Sequence, residues 1–244
     1  MKLQNSIIWQ GQSPIDNAPI AVVAIVKSSN RKTGNMVQTY IIRSDISPTA
    51  AIKSGLDVSV CFDCKHRGDG TGKKRTCYVN VGQGALAVYK ALQRGKYPVA
   101  TDIAALGAGR IVRLGTYGDP AAVPVWVWQE LTKNCTAHTG YTHQFANFPE
   151  LRTLCMASVD SEEELQFAHK LGWRTFRVAL PHHTEYLPKE ARCPASKEAG
   201  QLMQCDSCRA CNGTATGRKG SIVIQAHGGT AVMANVARLT AMAA

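Results

Sequence analysis

Apolar residues along this chain gather in short β-branched runs, several of them followed by a stretch with helical spacing. Residues 20–26 and 36–42 are Val- and Ile-rich runs separated by the turn-forming segment 28–35, a pattern that predicts a β-hairpin. A short run at 57–60 reads as a strand leading directly into Cys61. Residues 85–94 carry helical spacing, with Leu86, Tyr89, Ala91 and Leu92 mostly along one face and Gly95 as the stop. Further strands are predicted at 110–114, 139–143, 154–159, 174–178 and 221–225. Helices are expected at 121–132, with Pro124 inside the first turn, and at 230–240. Ser161 and Glu164 form a capping box that opens another helix through Leu165, Ala168 and Leu171, which Gly172 ends.

Six strands, most with a helix behind them, predict an α/β fold: a partial or closed parallel (β/α)6-like barrel with an N-terminal β-hairpin. The expected organisation is one domain over 1–244, with 1–56 as the hairpin extension and 57–244 as the barrel-like core. On that topology the Cys61 loop, Tyr117-Gly118-Asp119-Pro120, His143-Gln144, Asp160 and the loop after Val178 all lie at strand carboxyl ends. That rim is where such barrels build their sites.

The chemistry enters with the cysteines. Of nine, seven fall into two groups: Cys61, Cys64 and Cys77, and Cys193 with Cys205, Cys208 and Cys211. Thiolate is a soft ligand that selects zinc or iron–sulfur clusters. The Cys205, Cys208 and Cys211 run repeats C-x2-C without a break, as in bacterial ferredoxins, where three such thiolates hold three corners of a cubane. Cys193-Pro194 supplies a fourth corner. Zinc is the competing ion, since separate C-x2-C pairs are its usual ligands. For the first group the fourth ligand is His66, Cys155, or none, in which case one iron stays open to a small molecule. Disulfides are the lesser expectation, because the N-terminal residues show no signal-peptide pattern and the count is odd. Cys135 has no partner spacing and reads as an inert thiol.

Net charge is +11, and basic residues cluster at Lys65-His66-Arg67, Lys73-Lys74-Arg75 and Arg218-Lys219, each beside a cysteine group. They either form a phosphate-binding face for nucleic acid or offset the negative charge of thiolate-bound metal. No stretch reaches the roughly 18 apolar residues of a membrane span, so a cytoplasmic protein with no membrane partner is expected. Among other residues, Asp119 is either a rim acid or base or the cap of the following helix. His143 shares a strand face with Tyr141, while His138 points the other way. Asp160 and Ser161 begin a helix; His182-His183 offers ligands in a loop; His227 with Gly228-Gly229 suits an anion or a plain turn.

A six-unit partial barrel whose first strand delivers a cysteine loop is similar to the core of radical S-adenosylmethionine enzymes, over roughly residues 57–243. The resemblance implies an accessible [4Fe–4S] cluster on Cys61, Cys64 and Cys77, an auxiliary one on the second group, and S-adenosylmethionine as a small-molecule partner. Those enzymes use C-x3-C-x2-C, whereas this chain has C-x2-C-x12-C. The whole chain also resembles a family of small bacteriophage-encoded, cysteine-rich proteins with no assigned activity. The residues that carry this are Ser-Ile-Ile-Trp-Gln-Gly (6–11), Tyr-Gly-Asp-Pro-Ala-Ala-Val-Pro (117–124), His-Thr-Gly-Tyr-Thr-His-Gln (138–144) and Cys-Met-Ala-Ser-Val-Asp-Ser (155–161). That likeness implies a viral protein working in the host cytoplasm. Two functions follow as expectations: an iron–sulfur redox or radical enzyme with an unspecified substrate and electron donor, or a zinc-stabilised nucleic-acid-binding protein.

Overall fold

The computed structural model describes residues 3–28, 33–180, 186–215, 217 and 220–243. Ten strands are found among them: β1 (Ser6–Gln12), β2 (Pro19–Ile25), β3 (Val37–Arg43), β4 (Ile111–Tyr117), β5 (Ala137–Thr139), β6 (Tyr141–Thr142), β7 (Met156–Val159), β8 (Thr175–Ala179), β9 (Glu190–Arg192) and β10 (Ser221–Gln225). The helices are α1 (Pro48–Ser54), α2 (Val58–Cys61), α3 (Leu86–Gln93), α4 (Ile103–Gly107), α5 (Val125–Thr132), α6 (Glu162–Lys170), α7 (Cys205–Cys208) and α8 (Thr230–Ala243).

Two five-stranded sheets form, ordered β1-β2-β3-β4-β5 and β6-β7-β8-β10-β9. The hairpin expected at the N-terminus is present as antiparallel β2 and β3, and β1 adds a third antiparallel strand. From β3 onward every pairing is parallel, and neighbours follow in chain order through β4, β5, then β6, β7, β8 and β10. Gly140 is the only residue between β5 and β6. Its N–H donates to Cys211 O at 3.1 Å while its carbonyl accepts from Met156 N at 2.9 Å. The sheets therefore divide where one backbone N–H leaves the ladder to hold the second cysteine loop. Among the described residues no ladder joins β1 to β9, so no closed barrel is found.

Residues 57–60 do not form a strand. Their place is taken by the helical turn α2, closed by Cys61 N to Asp57 O at 2.9 Å, and β3 is the first strand of the parallel run. The four residues Asp57-Val58-Ser59-Val60 fit one helical turn as well as an alternating strand, and so short a run does not separate the two by periodicity. The helix expected at 121–132 begins only at Val125, with Pro124 before its first turn and a separate 3-10 turn at Pro120–Ala122, and the strand expected at 139–143 is split at Gly140, whereas β10 spans 221–225 and Ser161 caps α6 by accepting from Glu164 N.

Burial follows the two-residue period of the strands. On one face Val112, Leu114, Cys155, Ala157 and Val159 pack with Trp128, Leu131, Leu165 and Ala168 of α5 and α6 in the main core. On the other, Met156, Phe176, Ile222 and Ile224 pack with Cys193 and Cys211. The second face is the one that carries the site.

Candidate metal-binding cavity

A cavity of about 350 Å³ opens on that inner face. Ser158 and Asp160, Phe176 and Val178, and Ile222 and Ile224 line it from β7, β8 and β10 by alternation. All seven grouped cysteines line the same cavity, although the two groups lie more than a hundred residues apart in sequence.

The first group is assembled by local turns. Cys61 ends α2, and Phe62 then takes a left-handed φ of 53°, turning the chain so that Cys64 faces the same side as Cys61. That backbone costs about 1–3 kcal/mol. It is offset by burying the Phe62 ring edge-on against Phe148, centroids 5.9 Å apart. The glycine- and lysine-rich loop then folds back: Thr76 N and Cys77 N both donate to His66 O at 3.1 Å, which returns Cys77 to the pair. Gly68 permits this with φ 79°, because a Cβ there would lie 2.4 Å from Lys73 O. Burial pushes the Cys61 thiol far up, and the neighbouring charges of Cys64, Asp57 and Cys77 push it further. Cys64 is raised by the same burial and by Cys77.

The second group forms around Tyr141. Cys205 and Cys208 lie on α7, Arg209 adopts φ 54° and ends that turn, and the chain returns with Cys211 beside Gly140. Cys193 N donates to Val223 O at 2.8 Å, which fixes the fourth cysteine at the β10 edge. The Cys211 thiol is pushed up to about 12 by burial, against a hydrogen bond from the Tyr141 hydroxyl, with Cys193, Cys205 and Cys208 adding repulsion. Each group thus draws its thiols within electrostatic reach of one another. A bound cation reverses these shifts by stabilising the thiolates.

The rim holds the acid and imidazole groups. Asp119 follows β4 and is buried; its carboxylate accepts from Ala121 N at 3.0 Å, Thr142 Oγ1 at 2.7 Å and His143 N at 2.9 Å. Its own N–H donates to Val60 O at 2.7 Å. Asp119 therefore caps the 3-10 turn Pro120–Ala122, not α5, and ties β4, β6 and the Cys61 turn together. Burial lifts its carboxyl above the usual range despite these bonds. His143 follows β6, with Nε2 3.8 Å from Cys64 Sγ and 3.9 Å from Asp160 Oδ2. Burial lowers the pKa of its imidazole, against the opposing charges of Asp160 and Asp119.

Some expected ligands lie elsewhere. Cys155 immediately precedes β7 and faces the helix-side core behind Gly140, fully buried, with Asp119 the one charged group acting on its thiol. One step of alternation separates it from Met156, Ser158 and Asp160 on the cavity face, so it cannot close the first cluster. His66 lines the cavity but is engaged by Asp160 Oδ1 at 3.0 Å and Thr76 Oγ1 at 2.8 Å. Cys135 sits half-buried beyond α5, and burial raises its thiol. His138 is buried on the face opposite Tyr141 and His143. His227 lines the cavity, stacked on Tyr78 at 5.1 Å. His182-His183 and Arg218-Lys219 lie outside the described residues. Of the other basic residues, Lys65 pairs with Glu164, Arg67 with Asp57 at 2.7 Å, and Arg75 donates to Cys77 O at 3.2 Å. No helix among the described residues is long and apolar enough to cross a membrane.

The importance of Arg113 is not evident from spacing; only its place on β4, counted by alternation toward the cavity, could have revealed it. No protein-family model, curated protein or solved structure matches the chain.

Proposed function

We propose that this chain is an iron–sulfur protein with two thiolate-held clusters facing one cavity, performing one-electron chemistry on a small molecule bound between them. The observation that carries this reading is the convergence of Cys61, Cys64 and Cys77 with Cys193, Cys205, Cys208 and Cys211 on a single cavity. The unbroken C-x2-C-x2-C run of Cys205, Cys208 and Cys211, with Cys193 on the same cavity, favours a cubane over zinc. With three sulfurs and Cys155 turned away, the first cluster keeps one iron open toward the cavity, which is where a substrate or S-adenosylmethionine would bind.

The parallel strands in chain order support the likeness to partial-barrel radical enzymes, and strand carboxyl ends are where such folds work. Protein purified without oxygen should be brown, with a broad absorbance near 400 nm that bleaches with dithionite and matching iron and sulfide. Colourless protein with stoichiometric zinc sinks the reading in favour of the zinc-stabilised, nucleic-acid-binding one. Adding S-adenosylmethionine to the reduced protein should alter its paramagnetic resonance spectrum; an unchanged spectrum removes radical chemistry and leaves electron transfer.

A further inference from the structure

Apart from the cysteines, one cluster at the cavity rim has the makings of a metal site, and it stands whether or not the thiolates hold iron. His66, His143 and Asp160 come from three separate segments: the turn after Cys64, the end of β6 and the end of β7. Their ligand atoms all lie within 4.8 Å of one another, the one such set among the described residues. His66 Nε2 is 3.0 Å from Asp160 Oδ1, and His143 Nε2 is 3.9 Å from Asp160 Oδ2.

We propose that His66, His143 and Asp160 bind a mononuclear divalent cation of ferrous type beside the first cysteine group, Cys64 Sγ lying 3.8 Å from His143 Nε2, with its remaining positions open to the cavity. Three features argue for an ion over a plain His–Asp pair. Asp160 Oδ2 is buried with no hydrogen-bond partner, and 3.9 Å to His143 is too long for one. Metal arms of about 2 Å to each donor would bridge that gap. His66 Nδ1 is held by Thr76 Oγ1 at 2.8 Å, which orients Nε2 toward the carboxylate as outer partners do for metal-binding histidines. Two imidazoles and one carboxylate are also the donor set of open-sided iron(II) sites, and all three residues line the cavity.

Manganese is the probe, because carboxylate and imidazole accept Mn²⁺ while thiolates select softer ions. The full-length protein, kept without oxygen, is titrated with Mn²⁺ while the resonance signal of the free ion is followed. One equivalent should bind and be displaced by Fe²⁺. Asp160→Asn and His143→Gln should each weaken binding at least about tenfold, and Thr76→Val about tenfold. Cys208→Ser should leave Mn²⁺ affinity unchanged while lowering iron and sulfide, so loss of the clusters and loss of this site are told apart. No binding up to about 1 mM Mn²⁺, or Asp160→Asn binding like the parent, overturns the proposal. Should the variants fail to fold, the unaltered protein decides it: the resonance of bound Mn²⁺ should show hyperfine coupling to imidazole nitrogen, and its absence overturns the proposal.

Discussion

Arg174 should control whether the second cysteine group exists at all. The chain between β9 and β10 has one helical turn of its own, α7, so its carbonyls need donors from elsewhere. Arg174, 5 % exposed just ahead of β8, supplies them. Nε donates to Gly220 O at 2.7 Å, Nη1 to Gly213 O at 2.7 Å and Asn212 Oδ1 at 3.0 Å, and Nη2 to Ala210 O at 2.9 Å. These four acceptors flank Cys211 and the return into β10. Hydrogen bonds to a charged group contribute about 1.5–3 kcal/mol each, so the set is comparable to the whole stability of a domain, about 5–15 kcal/mol. Arg174→Met keeps the apolar bulk and removes every donor. The expected loss is about 3–5 kcal/mol, taken mainly as release of the loop. Lysine cannot substitute, because a single ammonium does not match a planar fork spanning four acceptors. Chemical denaturation gives the stability; iron and sulfide analysis on the same sample gives the consequence, loss of one centre with the other kept. A variant within 1 kcal/mol of the parent and with full metal content would show that the loop is held by the cluster, not by Arg174.

The other predictions are brief. Cys208→Ser should remove one complete metal centre, and full metal retention would show that the C-x2-C-x2-C run is not a site. Gly140→Ala places a Cβ 2.7 Å from Cys155 Sγ and 3.2 Å from Leu114 Cβ, so thermal melts should show about 1–3 kcal/mol of destabilisation, partly recovered by adding Cys155→Ala. Burial lowers the imidazoles of His138 and His169 below 6.5, against backbone contacts for His138 and with the Lys189 charge assisting for His169. Their contribution is therefore present above pH 6.5 and fades as pH falls through the folded values, by up to about 1.4 kcal/mol per proton and pH unit. His138→Gln should flatten the acid side of a stability-against-pH curve.

What could be read beforehand was set by local chemistry. The cysteine spacing, the Ser161 cap and the strand ends at Asp119, His143 and Asp160 follow from short-range rules, and the structure places them accordingly. Other features depend on contacts distant in sequence. Residues 57–60 become a helical turn, and Asp119 N donates to Val60 O across nearly sixty residues. β1 was not predicted because Gln10, Gly11 and Gln12 break its apolar run; pairing with β2 and a bridge from Ile7 to Val99 hold it instead. Cys155 went astray by one residue, which on a strand is the whole difference between core and cavity. His66 is expected only as a ligand for the first cysteine group, because nothing in its neighbourhood reveals Asp160, ninety-four residues on.

Arg113 ties the cations to the cysteines. It projects from β4 into the cavity, 8 % exposed, with Nη2 donating to the Tyr78 hydroxyl at 3.0 Å and its guanidinium 5.9 Å above the Tyr141 ring. Nε has no hydrogen-bond partner. Burial disfavours its charge, whereas negative charge on Tyr78, Tyr141 or Cys205 would favour it, and the balance lies upward. A lone buried guanidinium costs several kcal/mol and cannot shed its proton. Protonated thiols leave that charge unanswered, whereas thiolates around metal place negative charge opposite it. Arg67, beside Cys61 and Cys64, is partly neutralised by Asp57 and faces the first group in the same way. Metal bound as proposed would link loading to the fold: thiolates of the second group would add counter-charge to Arg113, those of the first would add to what Asp57 gives Arg67, and each arginine would make deprotonating the thiols easier.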